Sequence, residues 1–252
     1  MSARGYWLVM PAAGLGKRLG AETPKQYLPL AGRAMILWSL QSFLNDSLCK
    51  GSMVAIAIDD ALWPETRRQL PAAVRETLGG TERADSVRAA LAALLAEGAD
   101  ANDWVMVHDA ARPCVTPGEI QALWAAVTQT AAAGDSLAGG LLALPLADTL
   151  KRARVRDSAA ATAERVAETQ SRVGLWRALT PQLFRLGALH CALQAAAEQR
   201  RTPTDEAEAM EWQGARPLLV AGESSNLKVT THTDLLLAES LLAGRGFGGT
   251  MR

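Results

Sequence analysis

Apolar residues occur along the chain in short runs that alternate with longer stretches of helical periodicity. Each run has the length and composition of a buried strand. The runs lie at residues 7–10, 53–58, 104–107 and 141–144. In the intervening stretches, apolar residues recur at helical spacing from about Met35, Val87 and Ile120 onwards. This alternation predicts an α/β fold, in which a mostly parallel sheet carries helices on both faces.

Local signals predict where several elements begin. Residues 116–119 (Thr-Pro-Gly-Glu) form a capping box with proline in the first turn, and residues 231–234 begin a last amphipathic helix that reaches residue 242. A long Ala-rich helix is expected to follow residues 180–181. A short extended segment is expected at residues 226–230.

At residue 146 the alternation of strand-like runs and helical periodicity gives way to polar segments. Residues 148–155 and 164–171 are polar and flank a turn of small residues, which indicates a hairpin. Such a hairpin has too little apolar surface to be stable alone in water, so it is either held against its own domain or used by a partner subunit. We therefore expect one domain over residues 1–252, with a β-arm subdomain at residues 146–171. The Gly-rich tail, residues 244–252, is expected to be mobile.

Composition restricts the possible partners. The chain has 252 residues with 26 basic and 26 acidic side chains, so it has no global charge that would attract nucleic acid or an anionic membrane. We therefore expect neither partner. No apolar run reaches membrane-spanning length, and the first residues do not resemble a signal peptide. Cys49, Cys114 and Cys191 are scattered and odd in number, which predicts buried thiols in a reducing cytoplasm rather than disulfides or a zinc site.

A glycine-rich loop and three cations follow the first predicted strand. The loop is Ala12-Ala13-Gly14-Leu15-Gly16, and the cations are Lys17, Arg18 and Lys25. Glycines let backbone amides approach a ligand closely, and the cations indicate an anionic ligand such as phosphate. A Walker A loop is excluded because it needs Gly-Lys-Ser/Thr, which is absent. A dinucleotide-binding fingerprint is excluded because the third glycine, Gly20, comes one position late. The alternative is an ordinary strand-to-helix connection with surface cations.

Eight motifs in order resemble those of the 2-C-methyl-D-erythritol 4-phosphate cytidylyltransferase (IspD) family. They are AAGLGKRLG, PKQYLPLAG, GGTERADSV, HDAARP, DTLKR, RVGLWRALTPQ, TDEA and SNLKVT. The resemblance covers about residues 6–243. It implies a Rossmann-like fold with a protruding β-arm that forms a homodimer. It also implies CTP and methylerythritol phosphate as substrates, Mg²⁺ as cofactor and pyrophosphate as by-product.

The resemblance also assigns roles to individual residues. The residues matching nucleotide contacts are Ala12, Ala13, Gly14, Gly16, Lys17, Gly80, Ser86 and Asp109. Those matching catalytic cations are Arg18, Lys25 and Lys228, and those matching sugar-phosphate contacts are Arg112, Thr149, Arg172 and Thr204. Asp109 is in addition the expected Mg²⁺ ligand, and Ser86 is expected to cap a helix as well. Thr81 and Ser171 stand where relatives often carry aspartate.

The implied reaction needs cations rather than a base. The attacking phosphate is already an anion at neutral pH, so the site must align two polyanions and stabilise the spreading negative charge. His108 is accordingly expected to be structural. Three alternatives stay open at this point: a ribitol 5-phosphate cytidylyltransferase, a nucleotidyltransferase for hexose phosphates, and a regulatory nucleotide-binding domain without activity.

Overall fold

The computed structural model describes residues 5–14, 23–135, 139–154 and 164–245. Its strands are β1 (Tyr6–Pro11), β2 (Pro29–Leu30), β3 (Arg33–Ala34), β4 (Cys49–Ile56), β5 (Val74–Leu78), β6 (Trp104–Val107), β7 (Gly140–Pro145), β8 (Leu150–Ala153), β9 (Val166–Gln170), β10 (Trp176–Arg185) and β11 (Leu218–Ala221). Its α-helices are α1 (Met35–Leu44), α2 (Trp63–Arg67), α3 (Arg83–Ala96), α4 (Pro117–Ala132), α5 (Leu186–Glu198), α6 (Glu206–Glu211) and α7 (His232–Gly244).

Seven strands form the central sheet in the order β11-β7-β10-β6-β1-β4-β5. Strand β10 runs antiparallel to both of its neighbours, and the other neighbouring pairs are parallel. Two apolar cores lie on opposite faces: one contains Ile36 of α1 and Leu123 of α4, the other Leu91 of α3 and Leu189 of α5. The predicted α/β fold, a mostly parallel sheet with helices on both faces, is confirmed.

All four predicted strands lie in this sheet, but the region around Thr180 and Pro181 was interpreted wrongly. The expected helix begins only at Leu186, because the preceding ten residues form β10 between β6 and β7. Its central residues are buried on both faces, so they show no alternation of apolar and polar positions. The pairing of β10 with β7 shifts register between Ala178 and Gln182, and Pro181, which has no N–H to donate, lies in that irregular stretch.

The polar segment after β7 contains a two-stranded antiparallel ladder. Strand β8 pairs with β9, and Leu150 stands opposite Gln170. The side chains of both strands are mostly exposed. The backbone N–H of Leu146 donates to the carbonyl of Leu175 at 3.0 Å, so the two ends of the excursion meet beside the main sheet.

Several smaller expectations can also be compared with the structure. The predicted capping box is present at Thr116, and the predicted start of the last helix at Thr231 is also a capping box. Cys114 is buried and Cys49 half-buried, but Cys191 is exposed, so the prediction of buried thiols was wrong for Cys191; none of the three forms a disulfide. Residues 246–252 of the expected mobile tail lie outside the described residues. Within the described ranges, we find no helix long and apolar enough to cross a membrane.

Candidate active site

A cavity of about 360 Å³ opens where β1 and β6 end. Strands β1 and β6 are parallel neighbours, so the loops that follow them emerge side by side at the carboxyl edge of the sheet. The lining residues used below are Ala12, Ala13, Gly14, Lys25, Gln26, Gly80, Glu82, Arg83, Ser86, Asp109 and Lys228. Three of these are cations and two, Glu82 and Asp109, are carboxylates, so the lining has an excess of positive charge that suits an anionic ligand.

The first loop is held in place by residues of the PKQY motif. The Ala12 N–H donates to the Ala55 carbonyl at 2.7 Å. The buried Gln26 side chain donates through Nε2 to the Ala12 carbonyl, also at 2.7 Å, and the Tyr27 hydroxyl donates to Asp60 at 2.6 Å. Lys25 is the first residue of a short 3-10 helix, Lys25–Tyr27, that also contains Gln26. The motif therefore fixes the loop backbone while it brings a lysine to the cavity.

The second loop, between β5 and α3, packs against the first. A Cβ on Gly79 would lie 2.5 Å from the Ala13 Cβ and 2.8 Å from the Ser86 Oγ, so only glycine allows this approach. The Gly80 N–H donates to the Ser86 Oγ at 3.2 Å. Ser86 was expected to cap α3, but Glu82 is the N-cap residue and Asp85 completes the capping box. The Ser86 hydroxyl instead ties the glycines to the helix.

Asp109 stands at the centre of the charged groups. Its Oδ1 accepts from the Arg83 Nε at 2.9 Å, and its Oδ2 lies 2.7 Å from the Lys228 Nζ and 3.8 Å from the Arg112 Nε. Burial alone would raise the pKa of Asp109, but these three cations, Arg83 foremost, hold that pKa well below its usual range. Asp109 is therefore ionised at neutral pH.

Arg83 also contacts a second carboxylate, which lies behind the cavity. Its Nη1 donates to Glu206 Oε1 at 2.6 Å and its Nη2 to Glu206 Oε2 at 3.1 Å. Glu206 is 1% exposed and is the first residue of α6. Burial raises the pKa of Glu206, and Arg83 opposes that rise. The guanidinium of Arg83 thus joins the strand end carrying Asp109 to the helix carrying Glu206.

His108 belongs to a buried hydrogen-bond chain. Its Nε2 lies 3.0 Å from the Arg112 carbonyl, which can only accept, so Nε2 carries the proton. The Thr180 hydroxyl then donates to the His108 Nδ1 at 2.9 Å and accepts from the Asp109 N–H at 3.1 Å. Burial lowers the pKa of His108 to about 4. The expectation of a structural histidine agrees with this arrangement.

The structure brings together about half of the residues expected at the site. The residues that line the cavity are Ala12, Ala13, Gly14, Lys25, Gly80, Ser86, Asp109 and Lys228, and Arg112 adjoins it through Asp109. Thr149, Arg172 and Thr204 are exposed and do not line it. Gly16, Lys17 and Arg18 lie outside the described residues.

Four residues that organise the cavity were not predicted from the sequence. They are Gln26, Arg83, Thr180 and Glu206. All four lie within motifs that were recognised, so membership of a motif was the available signal. Their role depends on contacts between distant segments: Arg83 and Glu206 are 123 positions apart.

Asp109 does not form a metal site on its own. In the part of the chain that the structure describes, no three His, Cys, Asp or Glu side chains are grouped as metal ligands. Both oxygens of Asp109 already contact cations. The donor set therefore does not fit a metal ion held by the protein alone.

The fold and this cavity define the class: an α/β protein with a charged site at the carboxyl ends of parallel strands, as in nucleotide-binding enzymes. The family described as "IspD: 2-C-methyl-D-erythritol 4-phosphate cytidylyltransferase" matches residues 6–244. The chain is 48% identical over 231 residues to the protein of that name from Pseudomonas aeruginosa (strain UCBPP-PA14), covering 92% of this chain and 93% of the relative.

Solved structures agree with that match. The structure of a 4-diphosphocytidyl-2C-methyl-D-erythritol synthase aligns with a TM-score of 0.79 and 34% identity, covering 95% of this chain and 99% of that one. The Francisella tularensis 2-C-methyl-D-erythritol 4-phosphate cytidylyltransferase aligns with a TM-score of 0.77 and 32% identity, covering 94% and 100%. The chain therefore belongs to the 2-C-methyl-D-erythritol 4-phosphate cytidylyltransferase family.

Proposed function

We propose that this protein transfers CMP from CTP to 2-C-methyl-D-erythritol 4-phosphate, giving 4-diphosphocytidyl-2-C-methyl-D-erythritol and pyrophosphate in the non-mevalonate isoprenoid pathway. An oxygen of the sugar phosphate forms a bond to the α-phosphorus of CTP, and the bond from that phosphorus to pyrophosphate breaks. The observation that carries the proposal is the convergence of Lys25 and Lys228 on one cavity from motifs about 200 positions apart in a chain of this family. The matching relatives carry the methylerythritol name, so the ribitol alternative is not retained.

The nucleotide occupies the cavity between the two glycine-containing loops. Backbone groups near Ala12 and Gly80 contact the cytosine, Ser86 holds the second loop, and Asp109 faces the ribose and phosphates. Lys25 and Lys228 donate to the phosphate oxygens on which charge grows, which is where positioned donors stabilise a transition state most. Gly16, Lys17 and Arg18 contribute to the same phosphate site by family resemblance.

The sugar phosphate binds next to Asp109. Arg112 is 7% exposed and its Nε lies 3.8 Å from the Asp109 Oδ2, so its guanidinium adds positive charge beside that carboxylate. Thr149 and Arg172 lie at the same end of the β8–β9 ladder, next to the paired residues Leu150 and Gln170. Both are exposed within their own chain, which favours a role at the site of a second subunit. Thr204 contacts the same substrate from the segment before α6.

Mg²⁺ is proposed as an ion that arrives with the triphosphate. Phosphate oxygens would supply most of its ligands, and Asp109 is the one cavity carboxylate proposed to add a protein ligand. The chemistry such an ion supplies is neutralisation of phosphate charge.

A homodimer formed by the arm at residues 146–171 is also proposed. Val166, Val173 and Leu175 are 62%, 89% and 42% exposed on this arm and the turn after it. Exposed large apolar side chains on and beside the arm favour a protein interface there. The three unpaired cysteines favour a cytoplasmic location.

A substrate panel tests the function. The protein should release pyrophosphate with CTP and methylerythritol phosphate, and kcat/KM should fall at least about a hundredfold with UTP, because groups that bind the cytosine amino edge are left unpaired. Ribitol 5-phosphate serves as the matched second acceptor. Equal rates with UTP, or a preference for ribitol phosphate, would contradict the assignment. Adding EDTA and restoring Mg²⁺ tests the metal separately.

A further inference from the structure

Glu206 is a buried carboxylate that the proposed reaction does not use. It is 1% exposed and does not line the cavity, yet both of its oxygens accept from Arg83. A buried carboxylate is costly unless it is paired and hydrogen-bonded, so its position needs an explanation. Among the described residues, its only ionic partner is Arg83, whose Nε also contacts Asp109.

The geometry of Arg83 leaves it little freedom. All three guanidinium nitrogens donate to carboxylates: the two terminal nitrogens to Glu206 and Nε to Asp109. A bidentate pair fixes the plane of the guanidinium as well as its distance. Once Glu206 sets that plane, the direction of the Nε–H bond is set too, and with it the position of Asp109 Oδ1.

The backbone around Glu206 is anchored independently. The Gln182 Oε1 accepts from the Ala207 N–H at 2.8 Å, and the Gln182 Nε2 donates to Asp205 at 3.0 Å. Asp205 also caps α6 by accepting from the Glu208 N–H. Glu206 is therefore held by an interior strand, β10, and gives Arg83 a rigid support.

We propose that Arg83 and Glu206 are positioning residues for the nucleotide site: Glu206 orients Arg83, and Arg83 holds Asp109 in the arrangement that binds CTP. The inference rests on the proposed role of Asp109 at the nucleotide. Glu206 thereby affects CTP binding from behind the cavity. The segment that carries Thr204 is also linked to the loop between β5 and α3.

The test compares Glu206→Gln, Arg83→Lys and the double variant Arg83→Gln/Glu206→Gln. The double variant replaces the ion pair by two amides that can bond each other, so it leaves no unpaired buried charge and should fold. We expect its melting temperature to stay near that of the wild type while kcat/KM for CTP falls roughly ten- to hundredfold, as for a misplaced site group. The loss should appear in KM and in the calorimetric Kd for CTP, with KM for methylerythritol phosphate changed less than about threefold.

Arg88→Gln is the matched control. Arg88 lies on the same helix and pairs with Asp85 and Gln194, away from the cavity, so its variant should keep the wild-type Kd for CTP. Arg83→Lys keeps the charge but cannot bridge both carboxylates, and should weaken CTP binding to an intermediate degree.

Three results would overturn the inference. One is a folded double variant with wild-type Kd and kcat/KM for CTP. Another is a double variant that has a lower melting temperature and loses kcat/KM equally for CTP and for methylerythritol phosphate. That result would show that the Arg83–Glu206 pair only stabilises the fold. If the double variant does not fold, a wild-type Kd of the Arg83→Lys variant for CTP contradicts the inference. A wild-type protein that fails to use CTP would instead refute the proposed function.

Discussion

At the scale of single residues, the proposed reaction depends on cations that meet from distant parts of the chain. Lys228 is 40% exposed and 2.7 Å from Asp109, and Lys25 lines the same cavity. Changing either lysine to alanine should lower kcat by roughly two to three orders of magnitude, because a donor to the transition state is lost. Steady-state kinetics with CTP and methylerythritol phosphate measures the effect.

The fold should survive both changes, since half-exposed lysines contribute little to stability. Lys50→Gln is the control, because Lys50 pairs with Asp103 outside the cavity and glutamine can still donate to that carboxylate. Wild-type rates for both lysine variants would remove them from the mechanism.

His108 gives the protein a defined sensitivity to acid. Its pKa is lowered from 6.5 to about 4 by burial, so between these values the unfolded chain binds a proton that the folded chain does not. The contribution of His108 to the free energy of unfolding is therefore present at neutral pH and is lost as the pH falls from 6.5 towards 4. The full loss is about 3 kcal/mol.

Denaturant unfolding at several pH values measures this contribution. The slope for the wild type minus that for His108→Asn should correspond to about one proton in this window. Subtracting one slope from the other cancels the contribution of carboxylates that titrate in both proteins, such as Asp109 and Glu206. Parallel pH profiles for the two proteins would show that His108 does not carry the effect.

Sequence alone predicted the charged cavity residues for which a role at the nucleotide is proposed, but not the residues that hold them in place. Lys25, Lys228 and Asp109 could be predicted because their motifs were recognised, and all three line the cavity. Arg83 and Glu206 could not be paired in advance, because ion pairing between residues 123 positions apart depends on how α3 and α6 pack. The Thr180 hydroxyl was equally hidden, since its partner His108 lies on a neighbouring strand end.

At the scale of elements, periodicity identified strands with apolar runs and helices with clear caps. It failed for β10, because a strand buried on both faces has no alternation and the following helix is also apolar. It also missed the edge strands β5 and β11, which are only partly buried. What decides these strands is pairing with neighbours, which a single sequence does not contain.

The contact between the loop after β1 and the loop between β5 and α3 should tolerate no extra atom. Gly79→Ala places a methyl group 2.5 Å from the Ala13 Cβ, so the loops must separate. We expect a loss of about 1–3 kcal/mol in unfolding free energy and a roughly tenfold higher KM for CTP. Thermal melts and CTP titrations check both values.

Gly118→Ala is the control for this substitution. Its new methyl group would meet only the Thr116 Oγ1, at 3.9 Å, in the first turn of α4. This variant should keep the wild-type KM. An unchanged KM for Gly79→Ala as well would show that the loops adjust without cost to nucleotide binding.

At the scale of the whole molecule, the proposed shared site makes a prediction about mixed dimers. A Lys25→Ala chain and an Arg172→Ala chain, each nearly inactive alone, should recover activity when unfolded and reassembled together. Random pairing makes about half of the dimers mixed, and each mixed dimer has one intact site, so recovery should approach roughly a quarter of wild-type activity.

Differently tagged chains allow the mixed dimers to be isolated before the assay. A pair of variants on the same side of the site, Lys25→Ala with Lys228→Ala, should show no recovery and serves as the control. If mixed dimers of Lys25→Ala and Arg172→Ala chains are inactive, Arg172 acts in the site of its own chain.

The hydrogen bond between Leu146 and Leu175 closes the segment that contains the β8–β9 ladder, so this segment can be removed as a unit. Because β7 and β10 are antiparallel neighbours, a two-residue Asn-Gly turn can replace residues 147–174 and join them directly. Shortening the connection lowers the entropic cost of closing it by about 2 kcal/mol, so the truncated chain should fold as a monomer with its nucleotide cavity complete. Such a chain would bind CTP without turning it over, and so separate recognition of the nucleotide from transfer.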